Sequence, residues 1–330
     1  MTTLQITHLR FSAIAQTDIN LGGHYAGNNL RNALAAVLLR ATCPEAGRRT
    51  KPTPEHTAIC PACWIIAAES APGSVVRPYT VIPPLPPRPW LAAGEPFTFG
   101  LTLFGSGFQF LPYFVLAMAE VGQGGFGPGR GTFTIESIHA INPFQQQSEI
   151  LFQPPSTLVH VPTLHVTWET MQPQVAPWSN WLAEHNDLLT LRFLTPLRLE
   201  ANKTIYQTPD FAILFRRLLY RFDELGRQFA AEPRRDYAEV QTLHQLADQV
   251  RLVSSETQWH ELHGYSGRRG GKTPASGLVG TAVYHTPNWQ PLLPYLLFGQ
   301  ATQVGKLTVK GNGIYMLNQS SDSYWESFFA

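Results

Sequence analysis

The chain has 330 residues and a net charge of +1, and only 14% of its residues are charged. That length holds one large core or two ordinary ones, and a 44% hydrophobic share fits a folded protein rather than a disordered one. Near-neutrality excludes nucleic-acid binding by bulk charge alone, but it leaves a local basic face open.

Residues 4–15 alternate as a strand, and GGHYAGNN then supplies turn residues. The start lacks the charged opening and apolar block of a signal peptide, and no apolar run reaches membrane-spanning length. A cytoplasmic protein with no membrane partner is expected. Asn28 or Asn29 is placed to cap a helix through LRNALAAVLLRA, where Leu30, Leu34, Val37 and Leu38 form one apolar face.

All three cysteines, Cys43, Cys60 and Cys63, fall within 21 residues, with His56 between them. An odd count disfavours a disulfide framework. The spacing suits either a structural zinc site of three sulfurs and one nitrogen or a set of ordinary reduced thiols. With the Pro-rich VIPPLPPRPW, this segment forms a long irregular insertion over 42–90.

PFTFGLTLFG reads as a strand, FLPYFVLAMAEVG as a buried helix and GTFTIESIHAI as a strand, with GGFGPGRG before the last. Pro128 spoils GGFGPG as a dinucleotide loop, so a tight structural turn is the competing reading. The second half repeats this grammar. A strand or strand pair over 188–199 precedes two helices, two strands, a short helix and a closing strand in IYML. Leu111-Pro112-Tyr113 precedes one Gly-rich loop and final strand, and Leu293-Pro294-Tyr295 precedes the other. The expected fold is therefore α+β: two tandem ferredoxin-like (RRM-like) domains, 1–185 and 186–330, the first carrying the Cys/Pro-rich insertion.

Residues 262–321 contain no Asp or Glu, yet they hold Arg268, Arg269, Lys272, Lys306 and Lys310. Within them, GQATQVGKLTVKGNG sets Lys306 and Lys310 among Gly305, Gly311 and Gly313. Glycine lets backbone N–H groups approach a ligand, and lysine supplies point charge for phosphate. A polyanion is the expected partner of this face.

Several strings, in their order along the chain, resemble the CRISPR precursor-RNA-processing endoribonucleases of the RAMP superfamily. These are CPACWIIAAESAPGSVVRPYTVIPPLP, FTFGLTLFG, GGFGPGRGTFTI, LRFLTPLRLEANK, YSGRRGGK, GLVGTAVYH and QVGKLTVKGNGIYML. The resemblance implies paired ferredoxin-like folds, CRISPR repeat RNA (crRNA) as ligand and metal-independent cleavage with no cofactor in the chemistry. Where that family often has a histidine before Val-Gly-Lys, this chain has Gln303.

Cleavage of that kind needs a base for the 2′-hydroxyl, an acid for the leaving 5′-oxygen and a cation at the phosphate. His24, beside Tyr25 in a flexible Gly-flanked loop, lies where the family often carries its acid or base. Tyr25 is expected to orient RNA and Lys306 to stabilise charge. Arg268, Arg269, Lys272, Gly305, Lys310, Gly311 and Gly313 are the expected RNA contacts. His285 ranks behind His24, and His160 and His165 look structural. Two other readings stay open: a cleavage-poor crRNA-binding subunit of a CRISPR effector complex with other subunits as partners, favoured by Gln303, and a zinc-stabilised scaffold with the aromatic tail SDSYWESFFA.

Overall fold

A computed structural model describes residues 2–47, 52–67, 76–266, 271–317 and 324–330; the side chains of residues 67, 265, 266 and 271–273 are outside that description. In chain order its main elements begin with β1 (Ile6–Ala15), α1 (Ala26–Thr42), β2 (Tyr79–Ile82), β3 (Pro96–Phe104) and α2 (Leu111–Gly124). β4 (Phe133–Asn142), β5 (Gln147–Phe152) and α3 (Val175–Glu184) follow, then β6 (Leu188–Leu197), α4 (Phe211–Phe229) and α5 (Tyr237–Asp248). The chain continues through β7 (Arg251–His260), β8 (Gly277–His285), α6 (Leu293–Gly299), β9 (Tyr315–Leu317) and α7 (Tyr324–Phe329).

Two antiparallel sheets result. The first runs β2-β3-β1-β4-β5 and the second β7-β8-β6-β9. Without the β5 hairpin, both have the order of a strand–helix–strand–strand–helix–strand unit, so the fold is a pair of ferredoxin-like domains. The two Leu-Pro-Tyr strings mark equivalent places, because each opens a helix with proline in its first turn. There the missing N–H costs nothing.

The expected insertion needs correction. Tyr79–Ile82, inside 42–90, is a fully buried strand of the first sheet, paired with β3 from Tyr79↔Leu103 to Ile82↔Gly100. Pro83 and Pro84 end it at once, which is why the segment reads as irregular. Two short helices, Pro54–Ile59 and Pro61–Ala67, precede it.

The domains share apolar packing. Leu4, Ile6, Ile82 and Phe104 of the first join the core of the second, and Trp178 and Leu182 of α3 are buried in the same cluster. Trp64 packs on Phe110 of the first domain and Phe229 of the second. The aromatic tail is also spent internally. Phe328 is fully buried near Gly100, and the Trp325 indole N–H donates to the Tyr315 carbonyl at 2.7 Å. Burying each such ring stabilises the fold by about 1.5–3 kcal/mol, so the tail is no free docking peptide. No helix among the described residues is long and apolar enough to cross a membrane.

Candidate RNA-binding cleft

α1 carries the site. Gly22 and Gly23, both at positive φ, turn the chain into a 3-10 turn over Gly23–Tyr25 that leads into the helix. The turn is stitched down: Gly22 N–H donates to the Pro89 carbonyl at 3.1 Å and Gly23 N–H to Arg88 at 3.2 Å. The His24 loop is thus held by the Pro-rich segment rather than free, a correction to its expected flexibility.

Neither expected asparagine caps α1. The helix begins at Ala26 with Tyr25 at its N-cap and no side-chain bond to its first-turn N–H groups. Asn29 instead donates to the Leu21 carbonyl at 3.1 Å, and Asn28 is buried with both amide atoms unpartnered among the described residues. Among the described residues, the Nδ1 of His24 and the Nε of Arg31 are likewise buried without hydrogen-bond partners. Residues 24, 28 and 31 are spaced four and three apart, so they lie along one stripe of the helix start. The helix dipole at that end favours an anion.

The second domain faces this stripe. Gly27 lies so close to Lys310 that a Cβ on it would be 2.2 Å from the Lys310 carbonyl oxygen. The Lys310 ammonium is lowered in pKa by burial and, secondarily, by the Arg31 guanidinium. Two cations thus gather at the domain seam. His24 also meets His260 at the end of β7, with ring centroids 4.7 Å apart in an edge-to-face contact. Burial, then the charge of His260, lowers the His24 pKa. Sequence reasoning missed Asn28 and Arg31 as site residues, and His260 altogether.

The Gly-rich loop differs from expectation. Gly311 N–H donates to Thr308 and Gly313 N–H to Pro196, at 2.9 and 3.1 Å. A Cβ at Gly313 would fall 1.8 Å from the Val304 carbonyl oxygen, and one at Gly311 would lie 2.8 Å from Pro83. A Cβ at Gly305 would lie 2.6 Å from the Arg198 carbonyl oxygen. The close approach these glycines permit is therefore to other parts of the chain itself. Gln303 is buried and donates to the Val81 carbonyl at 3.0 Å, so it locks the two domains together and does not line the cleft. Lys306 is exposed, with its Nζ 3.8 Å from a Glu200 carboxylate oxygen.

Lys272 lies on the strand Gly271–Pro274, which pairs with His263–Ser266 in a hairpin. Arg268 and Arg269, between these strands, lie outside the described residues. The hairpin joins β7 to β8, and His260 pairs with Gly277 at its base. The basic hairpin therefore rises from the place where His24 and His260 meet. The other expected histidines sit apart from this pair: His165 bonds Thr7 at 2.9 Å, and His285 lies near Arg251 at 3.3 Å.

The far end of α1 carries the thiols. Cys43 Sγ lies 3.5 Å from His56 Nε2 and 3.6 Å from Cys63 Sγ. One ligand atom from each of Cys43, His56, Cys60 and Cys63 falls within 4.8 Å of the others. A tetrahedral zinc–thiolate site would place its sulfurs about 3.8 Å apart, so the four residues fit the ion. Burial and the neighbouring thiols push the Cys63 thiol up. Glu45 approaches the second nitrogen of His56 at 3.8 Å, where a carboxylate orients a metal-binding imidazole.

Paired ferredoxin-like domains with a basic, histidine-bearing seam define the class. Residues 191–315 match the family profile described as CRISPR-associated endoribonuclease Cas6, and residues 4–164 match one described as an N-terminal domain. Over residues 191–315 the chain thus carries a domain similar to the CRISPR-associated endoribonuclease Cas6 family. Cas6 of Thermus thermophilus superposes with a TM-score of 0.54 at 15% identity, covering 96% of this chain and 100% of that one. A product complex of that Cas6 gives 0.55 at 16% identity, covering 95% and 99%. A chain of a partial Cas6-RT-Cas1–Cas2 complex gives 0.62 at 13% identity, covering 97% of this chain and 47% of that one. At these identities the likeness shows the fold. No curated protein matches the sequence.

Proposed function

We propose that the chain binds a CRISPR repeat RNA along the seam between its domains and cuts it by attack of a 2′-hydroxyl on the adjacent phosphorus. The products would carry a 5′-hydroxyl and a 2′,3′-cyclic phosphate, and the protein would remain on the processed crRNA. The observation that carries this reading is the stripe of His24, Asn28 and Arg31, each with a buried polar atom that has no partner among the described residues, while Lys310 lies near Arg31. Unpaired buried polar groups cost about 1–3 kcal/mol each, and a phosphate would offset that cost.

In this reading His24 carries a proton, and Tyr25 orients the RNA from the same turn. Arg31 and Lys310 hold charge at the phosphate. Lys306 adds a rim cation tempered by Glu200, and Arg268, Arg269 and Lys272 grip the backbone from the hairpin. The cleft set consists of proton carriers and cations, which suits transesterification without a metal in the chemistry. Zinc is proposed only for Cys43, His56, Cys60 and Cys63, at the opposite end of α1, where it would staple that helix to the insertion.

A holding subunit that does not cut was suggested by Gln303. Because Gln303 is a buried interface residue, its identity does not remove a proton carrier from the cleft. Other CRISPR proteins remain proposed partners, since one similar chain belongs to a Cas6-RT-Cas1–Cas2 complex. Labelled repeat RNA incubated with pure protein in EDTA tests the proposal. A product ending in cyclic phosphate is expected, and a shifted but intact band would support the holding subunit instead.

A further inference from the structure

We propose that His260 is the second proton-transfer group of this cleavage, protonating the leaving 5′-oxygen while His24 takes the 2′-hydroxyl proton. The inference rests on the cleavage reading above and names a residue that reading does not use.

The geometry is specific. β7 is an edge strand, exposed through Glu256, whose chain only becomes half-buried near Trp259 and His260. There the His260 ring meets His24 of the other domain at 4.7 Å. Neither ring makes a hydrogen bond among the described residues, so only an edge-to-face contact joins them. A phosphate drawn in by Arg31 and Lys310 can part these rings by side-chain rotation, because no hydrogen bond joins them among the described residues. Attack and departure in line place the two reacting oxygens on opposite sides of phosphorus, so one histidine from each wall suits the geometry. The backbone of His260 is fixed by its pairing with Gly277, and the Trp259 indole N–H donates to Glu261 at 2.7 Å beside it.

The proton balance is simple. The 2′-oxygen forms a bond to phosphorus and gives its proton to the neutral imidazole of His24. The bond from phosphorus to the 5′-oxygen breaks, and that oxygen receives the proton of the His260 imidazolium. Burial, then the charge of His260, lowers the His24 pKa, which favours the neutral imidazole that a base needs.

The test uses the full chain with a synthetic CRISPR-repeat RNA, and the same RNA with sulfur replacing the bridging 5′-oxygen at the cut. A thiolate leaves without needing a proton. His260→Ala and His260→Gln should cut the natural RNA about 100- to 10,000-fold more slowly, with RNA affinity retained, and should recover most of that loss on the sulfur RNA. His24→Ala should stay slow on both. Wild-type cutting by His260→Ala, equal defects on both RNAs, or loss of affinity in both His260 variants would overturn the assignment. If the wild-type chain cuts no repeat RNA, the cleavage reading itself falls and this role goes with it.

Discussion

Gly27 and Lys310 meet across the domain seam at a separation only glycine allows: a Cβ on Gly27 would sit 2.2 Å from the Lys310 carbonyl oxygen. Here the obstacle is backbone, which cannot swing aside as a side chain would. Gly27→Ala should therefore lower the urea midpoint, at an overpacking cost of about 1–3 kcal/mol. It should also weaken RNA binding, because the shift moves Lys310 away from Arg31. An unchanged midpoint with native affinity would show that the seam yields freely.

Arg31 and Lys310 should act in opposite directions on stability and on binding. In free protein they repel, an effect that comes second to burial in lowering the Lys310 pKa. Lys310→Met should leave the RNA-free fold as stable or slightly more stable, while weakening RNA binding. Each cation removed should flatten the slope of log affinity against log salt by about 0.7. Arg216→Ala is the control, because that arginine is already paired with Asp248. Equal slopes in all three proteins would place the RNA elsewhere.

The fold was legible because its signals are local and repeated. Each Leu-Pro-Tyr opens a helix, and alternating apolar residues mark both long first strands. β2 was lost in the insertion because four residues followed by two prolines carry little periodicity. The seam was harder to read. A glycine that faces a ligand and one that faces the chain itself look alike in sequence, so the sequence points Gly311 and Gly313 to a ligand whereas they pack closely on Pro83 and the Val304 carbonyl. Asn28 resembled a cap because asparagine favours that position, but tertiary placement buried it. His260 sits in no recognisable motif. Its one signal was position, two residues before the acid-free stretch that begins at Leu262.

Zinc should copurify with the chain at about one ion per molecule, set by its single three-sulfur, one-nitrogen cluster among the described residues. Cys60→Ser should lose most of it, lower the thermal midpoint and speed proteolysis of the insertion. RNA cleavage should be affected less than stability, since α1 places the cluster about 25 Å from its first turn. A metal-free protein whose midpoint does not respond to added zinc would show these residues to be ordinary thiols.

His8 should make the fold acid-sensitive. Its ring is fully buried on β1, with Nδ1 2.8 Å from the Thr102 hydroxyl and Nε2 2.5 Å from the Tyr324 hydroxyl. Burial lowers its pKa from 6.5 to about 3. Between those values the unfolded chain binds a proton there and the folded chain does not. Stability is therefore complete above about pH 6.5 and falls as pH drops toward 3, by up to about 1.4 kcal/mol per pH unit. His24, His139, His165 and His244 are also lowered, chiefly by burial, and act in the same direction. A single variant isolates the His8 share. His8→Gln should be less stable at pH 7, through lost ring contacts with Tyr324 and Phe328. It should nevertheless lose less stability on going to pH 5, and urea titrations at pH 7, 6 and 5 would measure the difference. Parallel losses in the two proteins would mean that folded His8 accepts its proton in this range.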